Sequence, residues 1–283
     1  MAQVEAAGGG LAPKGLTKVG RVLAEVGPSA AAFVFLAALW EGWVRFRGIP
    51  PYLLPAPSAV AARLLAEGPT LLAEGVYTLL EALLGFGLGG VAAIGAGVAM
   101  AQWRLLERSL YPLAILVKVT PIVTVAPLFI IWFGFGLLPK VLIAALITFF
   151  PVLVNAVTGF RAVDPAALEF FQSIGASKWE IFVKLRFPSS LPYLFAAFRV
   201  SVVLGLIGAV VAEWLGADRG LGRAILLANQ NLDMAGLFAG VFLLALSGMG
   251  LTGLIRLWEK QVLFWHETWL TTDELTERGT ADG

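Results

Sequence analysis

The sequence predicts an all-α integral membrane protein with six transmembrane helices. Of the 283 residues, 59% are hydrophobic and only 14% are charged, whereas soluble domains carry about 25% charged residues. The mean hydropathy of +0.85 points the same way. Six apolar segments have roughly the 20 residues that a helix needs to cross a bilayer; they lie at residues 30–46, 76–101, 110–133, 138–160, 191–212 and 236–258.

Composition excludes several classes of function. The formal net charge is +1, so no basic excess indicates nucleic acid as a partner. Cysteine is absent, which excludes disulfides, thiolate nucleophiles and thiolate metal sites. The single histidine, His266, has no metal-ligand pattern beside it, so we expect this chain to bind neither a metal nor a cofactor. No G-x-x-x-x-G-K-[ST] phosphate-binding loop occurs, and we therefore expect a chain that is not itself an ATPase or another enzyme.

The first span has interfacial residues at its end. We expect the residues before it, 1–28, to form a cytoplasmic tail. Trp43 and Arg45 suit a membrane interface, and Glu41 stands four residues before Arg45, the spacing of a helical ion pair. A Pro-rich stretch follows, after which we expect a short amphipathic helix at residues 57–66, outside the membrane, capped by Ser58 or the residues before it.

The second and third spans both depart from a plain apolar helix. Gly85 and Gly89 in the second span form a G-x-x-x-G pair, which permits the close approach of a neighbouring helix. The third span contains Pro112, Pro121 and Pro127 and cannot be a regular helix throughout. Two interpretations stay open: an irregular segment that lines a path, or a Pro-kinked helix whose threonines bond to their own carbonyls.

Polar side chains inside the spans are the candidates for a translocation path. Arg199 lies well inside the fifth span, where a charge requires a partner or a wet face. Every one of these polar residues is explained equally well by hydrogen bonding between helices. The candidates are Thr120, Thr124, Asn155, Thr158, Arg199 and Ser201.

The segment 161–190, between the fourth and fifth spans, begins with a predicted short helix. Asp164 is a good N-cap, and Pro165 occupies the first helical position, where its missing N–H does no harm. Gly175 offers a left-handed stop for this helix.

A second short helix is predicted directly after that stop. Ser177 and Glu180 have the spacing of a capping box, and we expect the helix to run from Lys178 until Pro188 ends it. Both helices are amphipathic and too short to cross a bilayer. The segment is therefore predicted to be a helix–turn–helix that packs on the membrane domain or docks a partner.

The distribution of lysine and arginine over the loops predicts the orientation. With both chain ends inside, the domain layout is a tail at 1–28, a six-span domain at 29–260 and a cytoplasmic tail at 261–283. The helix–turn–helix then lies in the cytoplasm. The cations placed inside are Lys14, Lys18, Arg21, Arg104, Arg108, Arg161, Lys178, Lys184, Arg186, Arg256, Lys260 and Arg278, and those outside are Arg45, Arg47, Arg63, Lys140, Arg219 and Arg223.

The same cytoplasmic segment resembles a known signature. Glu169, Gly175 and the stretch Leu185–Pro188 resemble the E-A-A-x-x-x-G-x9-I-x-L-P motif of binding-protein-dependent ABC importer permeases, with the Glu, Gly, Pro and all spacings matched. Phe170 and Phe171 stand where the motif has alanines. Further stretches are similar to the subfamily for nitrate, sulfonate and taurine, namely Leu54–Val60, Pro127–Gly134, Phe149–Asn155, Val211–Glu213 and Gly220–Gly222.

This resemblance implies a fold, partners and a location. The fold would be that of a type I ABC importer permease in a bacterial plasma (inner) membrane. The partners would be a second permease copy, as a homodimer, an external substrate-binding protein, the surrounding lipid, and two ATPase subunits that hold the ATP and magnesium. The helix–turn–helix would be the coupling loop that contacts the ATPases, through Glu169, Phe170, Phe171, Gly175, Ala176, Trp179, Phe182 and Pro188.

The resemblance leaves the solute open. A sulfonate-, nitrate- or taurine-like solute is the leading interpretation, and a thiamine-precursor pyrimidine or riboflavin is the alternative. A different class, the ion-coupled secondary transporter, would want paired carboxylates inside the membrane. The sequence offers only Glu81, near an outer membrane face, and Glu213, at the end of a span.

Overall fold

The structure is a computed structural model that describes residues 18–264. Every regular element in this range is helical, as predicted. The elements, in chain order, are α1 (Lys18–Arg47), α2 (Pro57–Gln102), α3 (Arg104–Val119), α4 (Ile122–Phe133), α5 (Leu137–Arg161), α6 (Pro165–Ser173), α7 (Lys178–Ile181), a π turn (Phe182–Arg186), α8 (Phe187–Trp214), α9 (Leu221–Gln230) and α10 (Met234–Val262). His266 lies outside the described residues.

Five helices within residues 18–264 are long and apolar enough to cross a membrane, namely α1, α2, α5, α8 and α10. The third predicted span is instead two consecutive helices, α3 and α4, separated at Thr120 and Pro121. At 16 and 12 residues, neither helix is long enough to span alone. The predicted irregularity in the third span is therefore confirmed. It lies at Pro121, since Pro112 lies inside α3 and Pro127 inside α4.

Two predicted boundaries are wrong. The short helix expected at residues 57–66 is the first part of the 46-residue helix α2, which continues through Pro69 into the second span. Its first turn is held by α1, since the Ser58 N–H donates to Glu41 Oε2 at 2.9 Å. The helix of the first span, predicted from residue 30, begins already at Lys18 and passes through Pro28. A proline in a helix with neighbours to satisfy its freed carbonyls is tolerated in membrane proteins.

The core of the domain is the packing of α2, α5 and α8. The glycine pair of α2 allows this contact: a Cβ on Gly85 would lie 2.4 Å from the Ala144 Cβ, and one on Gly89 would lie 2.4 Å from the Ala145 carbonyl oxygen. In α8, a Cβ on Gly208 would lie 2.9 Å from the Ala144 Cα. Without a hydrophobic drive between helices in lipid, such close backbone approach supplies the van der Waals contact. The prediction of close packing at Gly85 and Gly89 is confirmed.

The remaining helices surround this core unequally. α10 packs against α2, α8 and α9, whereas only 6% of the described apolar part of α1 is buried. α1 touches the rest of the chain through Trp40, whose ring lies 5.5 Å from that of Phe238, and through the Glu41 contact to α2. In α4, Ala126 is buried against Ile143 and Ala212. The rest of α4 is at least partly exposed in the single chain.

Candidate functional site

The segment Asp164–Pro188, called here the coupling unit, folds as a capped helix–turn–helix. Asp164 Oδ1 accepts the N–H of Ala166 at 3.0 Å and so caps α6. Gly175 has φ of +73°, the left-handed conformation that glycine adopts without strain. The Ala176 N–H then donates back to the Phe171 carbonyl at 3.0 Å, closing the end of α6.

The second helix of the coupling unit begins with the predicted capping box. Ser177 Oγ accepts the N–H of Glu180 at 3.2 Å, and Glu180 Oε2 accepts the N–H of Ser177 at 2.9 Å. These backbone and side-chain hydrogen bonds from Ser177, with a smaller contribution from Lys184, hold the pKa of Glu180 below its ordinary value. The box therefore depends on an ionised carboxylate.

The second helix does not end at Pro188, contrary to the sequence prediction. It passes through the π turn into α8, so that residues 178–214 form one continuous helical rod. The Phe187 N–H bonds to the Phe182 carbonyl five residues earlier, which widens the turn and takes in the extra residue. Nearby, Ser189 Oγ donates to the Leu185 carbonyl at 2.8 Å. Pro188 thus lies inside the rod, directly after the π turn, whose shifted hydrogen bonds accommodate its missing N–H.

One face of the coupling unit presents apolar side chains to solvent. Phe170 and Ile174 are each 61% exposed and Trp179 is 69% exposed. None of the described residues of α6 and α7 is buried. Glu169 is exposed beside this face. Phe170 and Trp179, two of the predicted ATPase contacts, are thus exposed, and Ile174, which was not among the predicted contacts, lies exposed with them.

The other face joins the coupling unit to the membrane domain. Phe182 is half-buried, with its ring 5.6 Å from that of the fully buried Phe160 at the end of α5. Trp179 stacks on Phe182 at 5.8 Å. Phe171 is half-buried as well. Of the predicted contact residues, Phe182 therefore anchors the unit, and it links the exposed Trp179 to the core.

The predicted path residues bond mostly within their own helices. Thr120, Thr124 and Thr158 are exposed in the single chain and donate to carbonyls three or four residues earlier. Asn155 does the same, from Nδ2 to the Pro151 carbonyl at 2.8 Å. Both initial interpretations of the third span thus hold in part: the segment is broken, and its threonines bond to their own carbonyls.

The remaining two path candidates lie in α8. Arg199 has the partner that its position demanded, since its Nη1 lies 2.5 Å from Oε2 of Glu259 on α10. Ser201 is fully buried, and its Oγ has no hydrogen-bond partner among the described residues. The described contacts join none of the six candidates to another. The candidates line neither a cavity of about 900 Å³ at the base of the coupling unit nor an apolar cleft of about 730 Å³ between α8 and α10.

A buried polar network closes the end of the bundle opposite the coupling unit. Glu213 at the end of α8 accepts the Thr78 hydroxyl at 2.7 Å and the N–H of Gly222 at 2.6 Å, so its carboxylate caps α9. Glu81 pairs with Lys140 at 2.6 Å. Lys140, near the start of α5, and Glu213, near the end of α8, lie at the same end of the bundle and contact α2 there. The structure therefore brings together Glu81 and Glu213, the two carboxylates that the sequence left apart.

This network explains two stretches that carried the sequence resemblance. A Cβ on Gly220 would lie 2.2 Å from the Glu213 carboxyl carbon, and one on Gly222 would lie 2.7 Å from its Oε2. Gly220 has φ of +122°, which requires glycine, and a Cβ on Gly222 would push the Glu213 carboxylate away from the first turn of α9. No group of three His, Cys, Asp or Glu residues that could hold a metal ion occurs in the described part of the chain.

Comparison with known proteins decides the family. Residues 89–263 match the model of the binding-protein-dependent transport system inner membrane component family. The chain belongs to this family. It is thus an ABC importer permease, a membrane transport subunit, as the coupling-unit motif indicated.

Relatives of this permease carry different solutes. The chain is 34% identical to a formylaminopyrimidine transport permease protein, ThiX, of Halalkalibacterium halodurans, over 83% of this chain and 94% of the relative. It is 37% identical to a riboflavin transport system permease protein, RibX, of Chloroflexus aurantiacus, over 82% and 87%. It is 28% identical to the taurine transport system permease protein TauC of Escherichia coli, over 84% and 89%.

A solved structure supports the fold. The permease matches a chain of the MetNI methionine ABC transporter in an inward-facing conformation with a TM-score of 0.62, at 17% identity, over 68% of this chain and 96% of that chain. At this identity the similarity concerns the fold alone. It agrees with the all-α bundle described above.

Proposed function

We propose that this permease forms the path for a small solute delivered by an external binding protein, and that ATPase subunits drive it through the coupling unit. The observation that carries this proposal is the exposed apolar face at Phe170, Ile174 and Trp179, on a unit with no buried residue of its own in α6 or α7. An apolar patch on a charged, membrane-proximal loop is typical of a docking surface. ATP and magnesium would be held by the partner.

The coupling unit is suited to move the membrane domain because α7 is continuous with α8. A displacement of Trp179 acts on one end of a helical rod that runs through the bundle to Glu213. Phe182 and Phe160 add a second contact, to α5. Closure of the ATPases would thus tilt α8 and α5 and switch access to the path.

We further propose that the path forms between two copies of the permease. Thr120, Thr124 and Thr158 are exposed in the single chain, as is most of α4, where Ile131 and Trp132 are 74% and 65% exposed. A second surface is needed to turn such a face into a path. In this arrangement both chain ends and the coupling unit lie in the cytoplasm, and the Glu213 network lies at the outer side.

The solute proposal now rests on the relatives. Identity to the pyrimidine and riboflavin permeases, at 34% and 37%, exceeds the 28% identity to the taurine permease. We therefore place a small nitrogen heterocycle ahead of a sulfonate, nitrate or taurine. Measuring which of these compounds the cognate binding protein binds, and which one drives uptake, distinguishes the two classes.

The structure brings together the two carboxylates that an ion-coupled transporter would want, but it engages both in contacts between helices. Glu81 and Glu213 do lie together, but Lys140 occupies Glu81, and the Thr78 hydroxyl and the first turn of α9 occupy Glu213. The contacts of Glu213 join α2, α8 and α9, whereas Oε2 of Glu81 is buried without a hydrogen-bond partner among the described residues. Uptake of solute by this chain alone in ATP-free liposomes with an ion gradient would instead support ion coupling.

The docking proposal is tested by assembly with the ATPase. We expect a Phe170→Ala, Trp179→Ala double variant to lose co-purification with the ATPase subunit while keeping its own thermal stability. The matched control is Phe46→Ala, which truncates an aromatic side chain 87% exposed on α1. Unchanged assembly of the double variant would overturn docking through this face.

A further inference from the structure

An ion pair links the base of the coupling unit to the broken span. Arg161 is the last residue of α5, three residues before the cap Asp164, and Glu107 lies in the first turn of α3. Both terminal nitrogens of Arg161 donate to the two carboxylate oxygens of Glu107. This two-point geometry fixes orientation as well as distance.

The pair crosses a space that is otherwise open. A cavity of about 900 Å³ lies between the coupling unit and the ends of α2, α3 and α5, and Glu107, Arg161 and Leu168 are among the residues that line it. Since the described residues of α6 are not buried, the coupling unit is not packed firmly onto α3. The ion pair thus ties α3 to the end of α5, three residues before the unit begins, without a buried contact from α6.

The far end of α3 is the break in the third span. α3 runs from Arg104 to Val119 and stops at Thr120 and Pro121. Pro121 has no N–H to continue the helical hydrogen bonds. A shift imposed at Glu107 is thus carried along one helix to a point where the backbone can bend. Thr120 and Thr124, the polar side chains of the proposed path, flank that point.

The exposure of the pair argues against a purely stabilising role. The Arg161 side chain is 41% exposed and that of Glu107 is 21% exposed. Solvent screens an ion pair with one partner this exposed, while the two-point geometry makes it stronger than an ordinary surface pair. The strict geometry of the pair is better matched to positioning.

We propose that Glu107 and Arg161 are a positioning pair that transmits movement of the coupling unit to the break at Thr120–Pro121. This inference rests on the proposed function. Movement of the coupling unit would then reach the membrane domain by two routes, the continuous rod of α7 and α8 and the ion pair with α3. The second route would open the third span. The pair contacts neither the solute nor the ATPase.

The test measures coupling efficiency in the reconstituted transporter. The variants are Glu107→Gln, which keeps the shape and removes the charge, and Arg161→Lys, which keeps the charge and removes the two-point geometry. We expect solute transported per ATP hydrolysed to fall about 2- to 30-fold, the range found for residues on coupling routes. ATPase assembly and the thermal unfolding temperature should change little.

Two further measurements separate the possible outcomes. The exchange of both residues, Glu107→Arg with Arg161→Glu, should restore part of the lost coupling ratio. The matched control is Glu67→Gln, which breaks an exposed i, i+4 ion pair with Arg63 within α2 and should leave the ratio unchanged. Normal coupling in both single variants would overturn the inference. Absence of ATP-driven uptake by the native complex would instead overturn the proposed function.

Discussion

The carboxylate of Glu213 accepts the N–H of Gly222 at 2.6 Å and thereby joins the end of α8 to the first turn of α9. Thr78 completes the junction, because its hydroxyl donates to Glu213 at 2.7 Å and accepts the Leu221 N–H at 2.8 Å. Three helices thus meet at one buried carboxylate. The end of the bundle far from the coupling unit is held by this polar contact.

Replacing Glu213 by Ala is expected to destabilise the permease by about 1–3 kcal/mol, because the N–H groups of Gly222 and Arg223 and the Thr78 hydroxyl lose their acceptor in a buried site. Glu213→Gln keeps one acceptor oxygen and should be milder. Thermal unfolding in detergent measures both. Equal unfolding temperatures for Glu213→Ala and the native protein would contradict the junction.

The close contact of α2 with α5 predicts a position-specific response to alanine. Gly89→Ala should destabilise the fold by about 1–3 kcal/mol, since the new Cβ would lie 2.4 Å from the Ala145 carbonyl oxygen. The matched controls are Gly87→Ala and Gly90→Ala in the same helix, where the described structure places nothing within 4 Å of the added Cβ. These should be neutral or slightly stabilising, because alanine favours the helix. Equal losses at all three positions would refute the packing.

The Arg199–Glu259 pair predicts that removing one partner destabilises the permease more than removing both. Arg199→Met leaves the Glu259 carboxylate, which is 5% exposed, without its cation. We expect a loss of stability below the about 3–5 kcal/mol found for fully buried pairs, because Arg199 is 33% exposed. The double variant with Glu259→Gln should recover part of that loss. A double-mutant cycle of unfolding temperatures checks this, and strictly additive effects would exclude a direct interaction.

The capping box predicts a pH dependence confined to the coupling unit. The hydrogen bonds from Ser177 lower the pKa of Glu180 from an ordinary value of 4.5. A lowered folded-state pKa gives a stability that is present above that ordinary value and is lost as pH falls through the folded-state pKa. Hydrogen exchange of residues 177–181 should therefore accelerate, after correction for the intrinsic rate, as pH drops below about 4.5. Glu180→Gln should remove this dependence.

Much of the architecture followed from local chemistry. The caps and the turn of the coupling unit could be predicted from the sequence. Asp164, Gly175 and the Ser177–Glu180 box each act on backbone groups within a few residues. The close packing at the glycine pair of α2 could also be predicted, because small residues at that spacing in membrane helices allow a neighbouring helix to approach closely. The need of Arg199 for a partner followed from the solvation of charge, although its partner Glu259 did not.

The rest depended on contacts between distant parts of the chain. The helix end predicted at Pro188 was wrong because local sequence rules do not predict the π turn that precedes this proline and keeps the helix continuous. Glu81 and Glu213 were 132 residues apart, and their meeting is a product of the α2–α8 packing. Glu107 and Arg161 carried no pattern that linked them. The i, i+4 rule detected Glu41 and Arg45 but has no counterpart for ion pairs between helices.

ATP-driven uptake is the measurement that tests the proposed function most directly. The permease would be reconstituted into liposomes with its ATPase subunit, with the binding protein and radiolabelled solute outside and ATP and magnesium enclosed. We predict uptake that requires both ATP and the binding protein and that is lost in the Phe170→Ala, Trp179→Ala variant but retained in Phe46→Ala. Solute uptake that proceeds equally without ATP, or without an intact coupling face, would contradict it.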